Sequence, residues 1–178
     1  AKNMDRTNCN ALDLRAKSSD PERVLGTPFA SRGTGENNQL QEVILPKGIQ
    51  YIGTAFANLP KLTTLDLSQT KVTVLEDGAL AGTALTEVTI PAVTEPTVQT
   101  VKIGSKVFPK TVETLTINAP IAVENAIKPD AFHGMTALKT VNFNGDLLVA
   151  GAVPAEAFKD SKIEKVKFNN IATGAISA

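Results

Sequence analysis

The chain has one cysteine, one histidine, one tyrosine and no tryptophan among its 178 residues. A lone cysteine forbids an intramolecular disulfide and a Cys-x-x-Cys metal or redox pair. A lone histidine excludes a histidine cluster for metal and confines any His-dependent nucleophile to whatever lies beside His133. Net charge is absent too, because 18 Lys and Arg offset 18 Asp and Glu, and each half of the chain is close to neutral. No chain-wide field steers it to nucleic acid or to an anionic bilayer. No stretch approaches the roughly 18 apolar residues of a membrane helix, and the segment 1–6 lacks the apolar core of a signal peptide. The expectation is a soluble, processed or trimmed segment without direct membrane insertion.

What the chain does have is repetition. An apolar skeleton of the form L-x-x-V/L-x-L/I recurs seven times, at Cys9/Leu12/Leu14, Leu40/Val43/Leu45, Leu62/Leu65/Leu67, Leu85/Val88/Ile90, Val112/Leu115/Ile117, Leu138/Val141/Phe143 and Ile163/Val166/Phe168. A second pair of anchors, five residues apart, follows most of them: Val24/Phe29, Tyr51/Phe56, Leu75/Leu80, Ile103/Phe108, Ile127/Phe132 and Val153/Phe158. From Leu40 onward the steps are 22, 23, 27, 26 and 25 residues. Such periods belong to stacked supersecondary units. The fold class is therefore a leucine-rich-repeat solenoid: a parallel β-sheet of about seven strands on one face, short helical, 3-10 or irregular segments on the other, and little regular helix.

Within a coil the strand alternates with period two, so Val88 and Ile90 face inward while Glu87, Thr89 and Pro91 face outward. The return leg is about ten residues with few apolar positions, too few for a full amphipathic helix. Each coil offers about five large apolar side chains, worth roughly 1.5 to 3 kcal/mol apiece when buried, mostly against the neighbouring coil. A single repeat should not fold alone. Residues 1–39, stretched by the polar loop Ser31 to Asn38, are expected to be a degenerate first repeat and cap, continuous with repeats over 40–178 in one elongated domain. Cys9 occupies the first apolar slot of the first strand signature and reads as a small buried hydrophobe.

The unit Leu40-x-x-Val43-x-Leu45-Pro46 with Ile52-Gly53 and Ala55-Phe56 resembles the BspA-like leucine-rich repeats of bacterial surface proteins, also called the Treponema pallidum type. Leu85-x-x-Val88-x-Ile90-Pro91 and Ile127 with Ala131-Phe132 repeat its two halves, and the match spans residues 40–168. The resemblance implies a secreted or surface-anchored, extracellular protein with roles in adhesion and protein binding. The chain departs from that pattern in lacking the cysteine that often follows Ala-Phe and in its variable repeat lengths after residue 85.

No reactive residues assemble into a catalytic constellation, so no enzyme, cofactor or metal site is expected. His133 reads as a surface loop residue on the return leg, several coils from Cys9. Asp13 and Asp66, two coils apart at roughly 9 to 10 Å, mimic the spacing of an inverting carboxylate pair, but an open sheet face has no pocket to raise one pKa. Gly33-x-Gly35 lacks the preceding strand and third glycine of a phosphate loop.

The binding surface is expected on the outward strand positions, which stacking places in columns. The middle column holds Asp13, Ile44, Asp66, Thr89, Thr116, Asn142 and Lys167; the column before it holds Ala11, Glu42, Thr64, Glu87, Thr114, Thr140 and Lys165. Acid predominates at one end and two lysines close the other, giving a polarised face for a protein ligand, a host or microbial surface protein. The next column, Arg15, Pro46, Ser68, Pro91, Asn118, Asn144 and Asn169, ends in asparagines expected to turn the chain through local backbone bonds. The face projects about 400 Å², against about 800 Å² per partner in a standard interface. The rim formed by the loops at 91–98, 118–120 and 144–146 must therefore contribute. Two alternatives remain open: a passive spacer within a larger surface protein, and a glycan-binding module, which the shortage of exposed aromatics disfavours.

Overall fold

The computed structural model describes residues 39–94 and 99–177, with the backbone of the two short strands before them. The N-terminal expectations for Cys9, Phe29 and the loop 31–38 lie outside the described residues. Eleven strands follow in chain order: β1 (Ala11–Asp13), β2 (Arg23–Val24), β3 (Glu42–Ile44), β4 (Tyr51–Ile52), β5 (Thr64–Leu65), β6 (Val74–Leu75), β7 (Glu87–Ile90), β8 (Lys102–Ile103), β9 (Thr114–Ile117), β10 (Thr140–Phe143) and β11 (Lys165–Phe168). Every pairing is parallel and joins equivalent residues of neighbouring coils, as in Val88 with Leu115, Leu115 with Val141 and Val141 with Val166. The architecture is a β-solenoid with almost no helix, its one 3-10 turn among the described residues being Thr54–Phe56.

The seven front strands form two sheets rather than one, in the orders β1-β3-β5 and β7-β9-β10-β11. The break falls where the coil lengthens from 23 to 27 residues. The added residues lie between the front and the back of the coil: Leu67 and Leu75 are 8 positions apart, Ile90 and Ile103 are 13. The back sheet, β2-β4-β6-β8, runs unbroken across this junction, with Leu75 in register with Ile103. With the back held in register, the larger perimeter carries β7 away from β5. The longer coils use their extra length to build another side, where Ile121, Leu147 and Ile171 bridge coil to coil. The core itself stays continuous, since Leu65, Leu67, Val88 and Ile90 belong to one buried cluster.

That back sheet corrects one anchor. Ile52, not Tyr51, aligns with Leu75 and is fully buried, while Tyr51 aligns with Val74 and Lys102 and is half-exposed. Alternation in a two-residue strand puts neighbours on opposite sides, so only one of the pair can point inward. Pro46 and Pro91, expected to face outward, are buried. By that point each chain has left its strand and turned toward the next side.

Aromatic rings do stack between coils. Phe132 lies between Phe108 and Phe158, with centroids at 5.8 and 5.0 Å, and Phe143 stacks on Phe168 at 5.4 Å. The corner two residues beyond the Phe56, Leu80, Phe132 and Phe158 positions is left-handed in each case: Asn58 (φ 59), Gly82 (φ 73), Gly134 (φ 71) and Asp160 (φ 59). Gly, Asn and Asp are the residues that adopt this region at least cost. A different constraint acts at Gly145, where a Cβ would lie 2.1 Å from the Ala119 carbonyl oxygen.

Two consequences are measurable by urea denaturation. Leu115→Ala and Phe132→Ala, at fully buried positions in the middle of the stack, are expected to cost about 2 to 5 kcal/mol, and Ile163→Ala, in the half-buried last coil, clearly less. Gly145→Ala is expected to cost about 1 to 3 kcal/mol, because backbone rather than a flexible side chain must give way.

Candidate functional site

The outward columns are real in the register. Glu87, Thr114, Thr140 and Lys165 stand side by side across the second front sheet, as do Thr89, Thr116, Asn142 and Lys167. On the first sheet Ala11, Glu42 and Thr64 align, and Asp13 aligns with Ile44. Asp66 follows directly after β5 and is exposed. The break between β5 and β7 therefore divides the proposed face: Glu42, Ile44, Thr64 and Asp66 on one side, Glu87 through Lys167 on the other.

The ends of the face are wet and its centre is packed. Thr64, Asp66, Glu87, Lys165 and Lys167 are exposed, whereas Thr89, Thr114, Thr116, Thr140 and Asn142 are half-buried by their neighbours. In the centre the Asn142 amide Nδ2 donates to Thr116 Oγ1 at 3.3 Å, and Asn142 Oδ1, enclosed by its surroundings, accepts no hydrogen bond. Asp66 spends its Oδ1 on the Ser68 backbone N–H at 2.8 Å, a turn that closes its own strand. Glu42, Glu87, Lys165 and Lys167 form no ion pair among the described residues.

One charged column escapes a reading confined to the strand signature. The residue after the first apolar anchor of each later coil is Glu113, Lys139 and Glu164, and the backbones join there, Lys139 N–H to Glu113 C=O and Glu164 N–H to Lys139 C=O, both at 2.9 Å. Lys139 Nζ donates to Glu113 Oε2 at 2.7 Å. That hydrogen bond, then the Glu113 charge, raise the lysine above its ordinary 10.5. A raised lysine supports the fold while protonated, so the contribution is complete below the ordinary value and is lost only as pH climbs through the raised one. The signal was in the sequence, as alternating charge at a constant offset from Val112, Leu138 and Ile163.

Asparagines in the next column bond between coils rather than to local backbone. Asn144 Nδ2 donates to Asn118 Oδ1 at 2.9 Å. Asn169 Nδ2 and Asn170 Nδ2 both donate to Asp146 Oδ1, at 2.8 and 2.9 Å. Together with Gly145 packed on Ala119, these bonds tie the loops at 118–120 and 144–146 into a fixed rim. Residues 95–98 of the third loop lie outside the described residues.

Elsewhere, His133 Nε2 lies 3.0 Å from Asp160 Oδ2 on the return leg, an exposed cross-coil pair. Among the described residues no group of three or more His, Cys, Asp and Glu converges as a metal site. An open groove of about 320 Å³ lies beside the back sheet between Lys102, Lys128 and Val123.

Stacked parallel strands on two sides, left-handed corners and an apolar centre define a leucine-rich-repeat protein. Its family is specific: the model of the BspA-type leucine-rich repeat region matches six copies, over residues 34–100 and 101–177, and the chain belongs to that family. No curated protein and no solved structure matches the chain. No helix among the described residues is long and apolar enough to cross a membrane.

Proposed function

We propose that the chain is a non-catalytic protein-binding module of a cell-surface or secreted bacterial protein, which engages its partner through the front sheet and the adjacent rim. Membership of a family typical of surface proteins supports the location. The observation that carries the reading is the charge layout. Four charges on the front columns, Glu42, Glu87, Lys165 and Lys167, form no ion pair among the described residues and are separated by sign along the stack. Elsewhere on the same side, Lys139 is neutralised by Glu113 and Asp66 is held by a turn. Charges left unpaired and sorted by sign give orientation and faster encounter to a partner of opposite pattern. The strands alone are small for a stable interface, and the rim at Asn118, Asn144 and Asp146 supplies a second, prearranged surface.

Purified protein presented to an array of extracellular-matrix proteins, microbial surface proteins and glycans, at low and high salt, tests this reading. The expected result is saturable, salt-weakened binding to a protein, reduced about tenfold or more by Glu42→Lys/Glu87→Lys and by Lys165→Glu/Lys167→Glu. Binding that ignores both double variants, or binding to glycans alone, rejects the polarised face. Binding to no component returns the chain to the role of a spacer.

A further inference from the structure

The groove on the back of the stack is built by a mismatch of chain length. Val101 N–H donates to the Pro120 C=O at 3.0 Å, and Ile103 N–H to the Ala126 C=O at 2.7 Å. A step of 2 positions in one coil is therefore matched by a step of 6 in the next. The surplus swings outward as the turn 123–125, with its corner at the left-handed Asn125 (φ 57). Past the turn the two coils rejoin at the single bridge between Ile103 and Ile127. What the turn leaves beside β8 is an open groove of about 320 Å³, at the small end of the range of ligand sites. Leu75, Ile103 and Val123 give it an apolar lining, and Val123 is left 47% exposed in the middle of the stack. Lys102, Lys128, Glu124 and Asn125 stand around that lining, all exposed. None of these four side chains forms an ion pair or a hydrogen bond among the described residues. Two lysines against one glutamate leave the groove with a net positive charge.

We propose that this groove takes an acidic peptide segment of a partner protein, its apolar side chain laid against Ile103 and Val123 and its flanking carboxylates meeting Lys102 and Lys128. Each part of that occupant answers a feature of the groove. The unpaired lysines select acid, since a carboxylate gains charge-assisted bonds from them without breaking any bond they already have. The lining selects an apolar residue next to the acid, because covering Val123 removes from water a side chain that the fold leaves exposed. The Asn125 amide, with both a donor and an acceptor to offer, suits the backbone of the same segment. Openness selects a segment of a larger partner over a free small molecule. Sites for small ligands ordinarily bury about 70 to 90% of the ligand's surface, and a groove open along its length does not enclose one. A macromolecule brings further contacts, and Leu148, 53% exposed, offers one on the adjoining side that Ile121 and Leu147 bridge. The groove lies on the back of the stack, so it stands or falls independently of the front face.

Nuclear magnetic resonance titration of the isotope-labelled full chain tests the proposal with four probes: the blocked peptides Glu-Leu-Asp, Glu-Ser-Asp and Lys-Leu-Lys, and octanoate. Glu-Leu-Asp is expected to shift the backbone amides of 102–104 and 123–128 saturably. Glu-Ser-Asp and Lys-Leu-Lys, which lack the apolar residue or reverse the charge, are expected to bind about tenfold more weakly or worse. Lys102→Glu/Lys128→Glu is expected to weaken Glu-Leu-Asp by a similar factor, with circular dichroism unchanged because both positions are exposed and unpaired. Val123→Asp is expected to act in the same direction. No shift with Glu-Leu-Asp, shifts confined to other parts of the chain, an equal response to Lys-Leu-Lys, or undiminished binding by the double lysine variant would each overturn the acidic-peptide site. Octanoate shifting these amides while Glu-Leu-Asp shifts none would overturn it too, and would assign the groove to a free amphiphile.

Discussion

The structure depends on one constraint: wherever strands of neighbouring coils pair, each residue lies against its equivalent in the next coil, with no offset. In-register parallel stacking turns a sequence period into a set of columns, and the chemistry of each column is then fixed by repetition. An inward column must be apolar along its whole length, because a polar residue there would be enclosed by a coil on each side. A corner column must tolerate the left-handed region, which explains why Asn58, Gly82, Gly134 and Asp160 share no property except that tolerance. Columns at the surface are free of both demands. They fill with whatever neighbours can bond: glutamate on lysine before the strand, asparagine on asparagine after it.

The sequence makes the front columns legible because two demands coincide there. Burial imposes alternation on the strand, and stacking imposes the same alternation on the strand 22 to 27 residues later. Leu115, Ile117, Val141 and Phe143 satisfy both, and all four are buried. The second anchor was harder to place. Only two residues of each back strand pair, and at Tyr51-Ile52 both are large and apolar in character, so spacing from Phe56 pointed to the wrong one. Constancy of register, rather than constancy of spacing, is what the fold preserves. Ile52 keeps the register with Leu75 although it stands 4 residues before Phe56, whereas Leu75 stands 5 before Leu80.

The break between β5 and β7 shows the same priority at larger scale. A change of repeat length was visible in the spacing, but spacing does not say which side of the coil absorbs it. The back sheet holds its ladder and the front gives way, after which the longer coils stack on one another in a new, wider section. For the site this matters more than any single residue. Glu42 is carried by one sheet and Glu87, Lys165 and Lys167 by the other, so the outward columns are interrupted between β5 and β7. The outward residues themselves were identifiable from alternation, and their pairing state was not. Whether Lys139 is neutralised or Asp66 is consumed by a turn depends on a side chain 26 residues away in one case and a backbone N–H 2 residues away in the other.

Energetics separate the two jobs of this chain. Stability comes from columns in which a single truncation opens a cavity between coils, at about 2 to 5 kcal/mol. The proposed recognition draws on positions such as Glu87, Lys165 and Lys167, which are exposed and form no ion pair among the described residues, where substitution ordinarily changes stability by less than about 0.5 kcal/mol. A front column can therefore change sign from coil to coil while the inward columns beside it do not change at all. That independence is why the apolar skeleton defines the family and the polar columns do not: the skeleton is constrained by its own repetition, and the outward residues are constrained only by what they meet. Among the described residues the separation fails in the coil of β11. Its inward residues are also surface, and Val166 and Phe168 stand half-exposed beside Lys165 and Lys167.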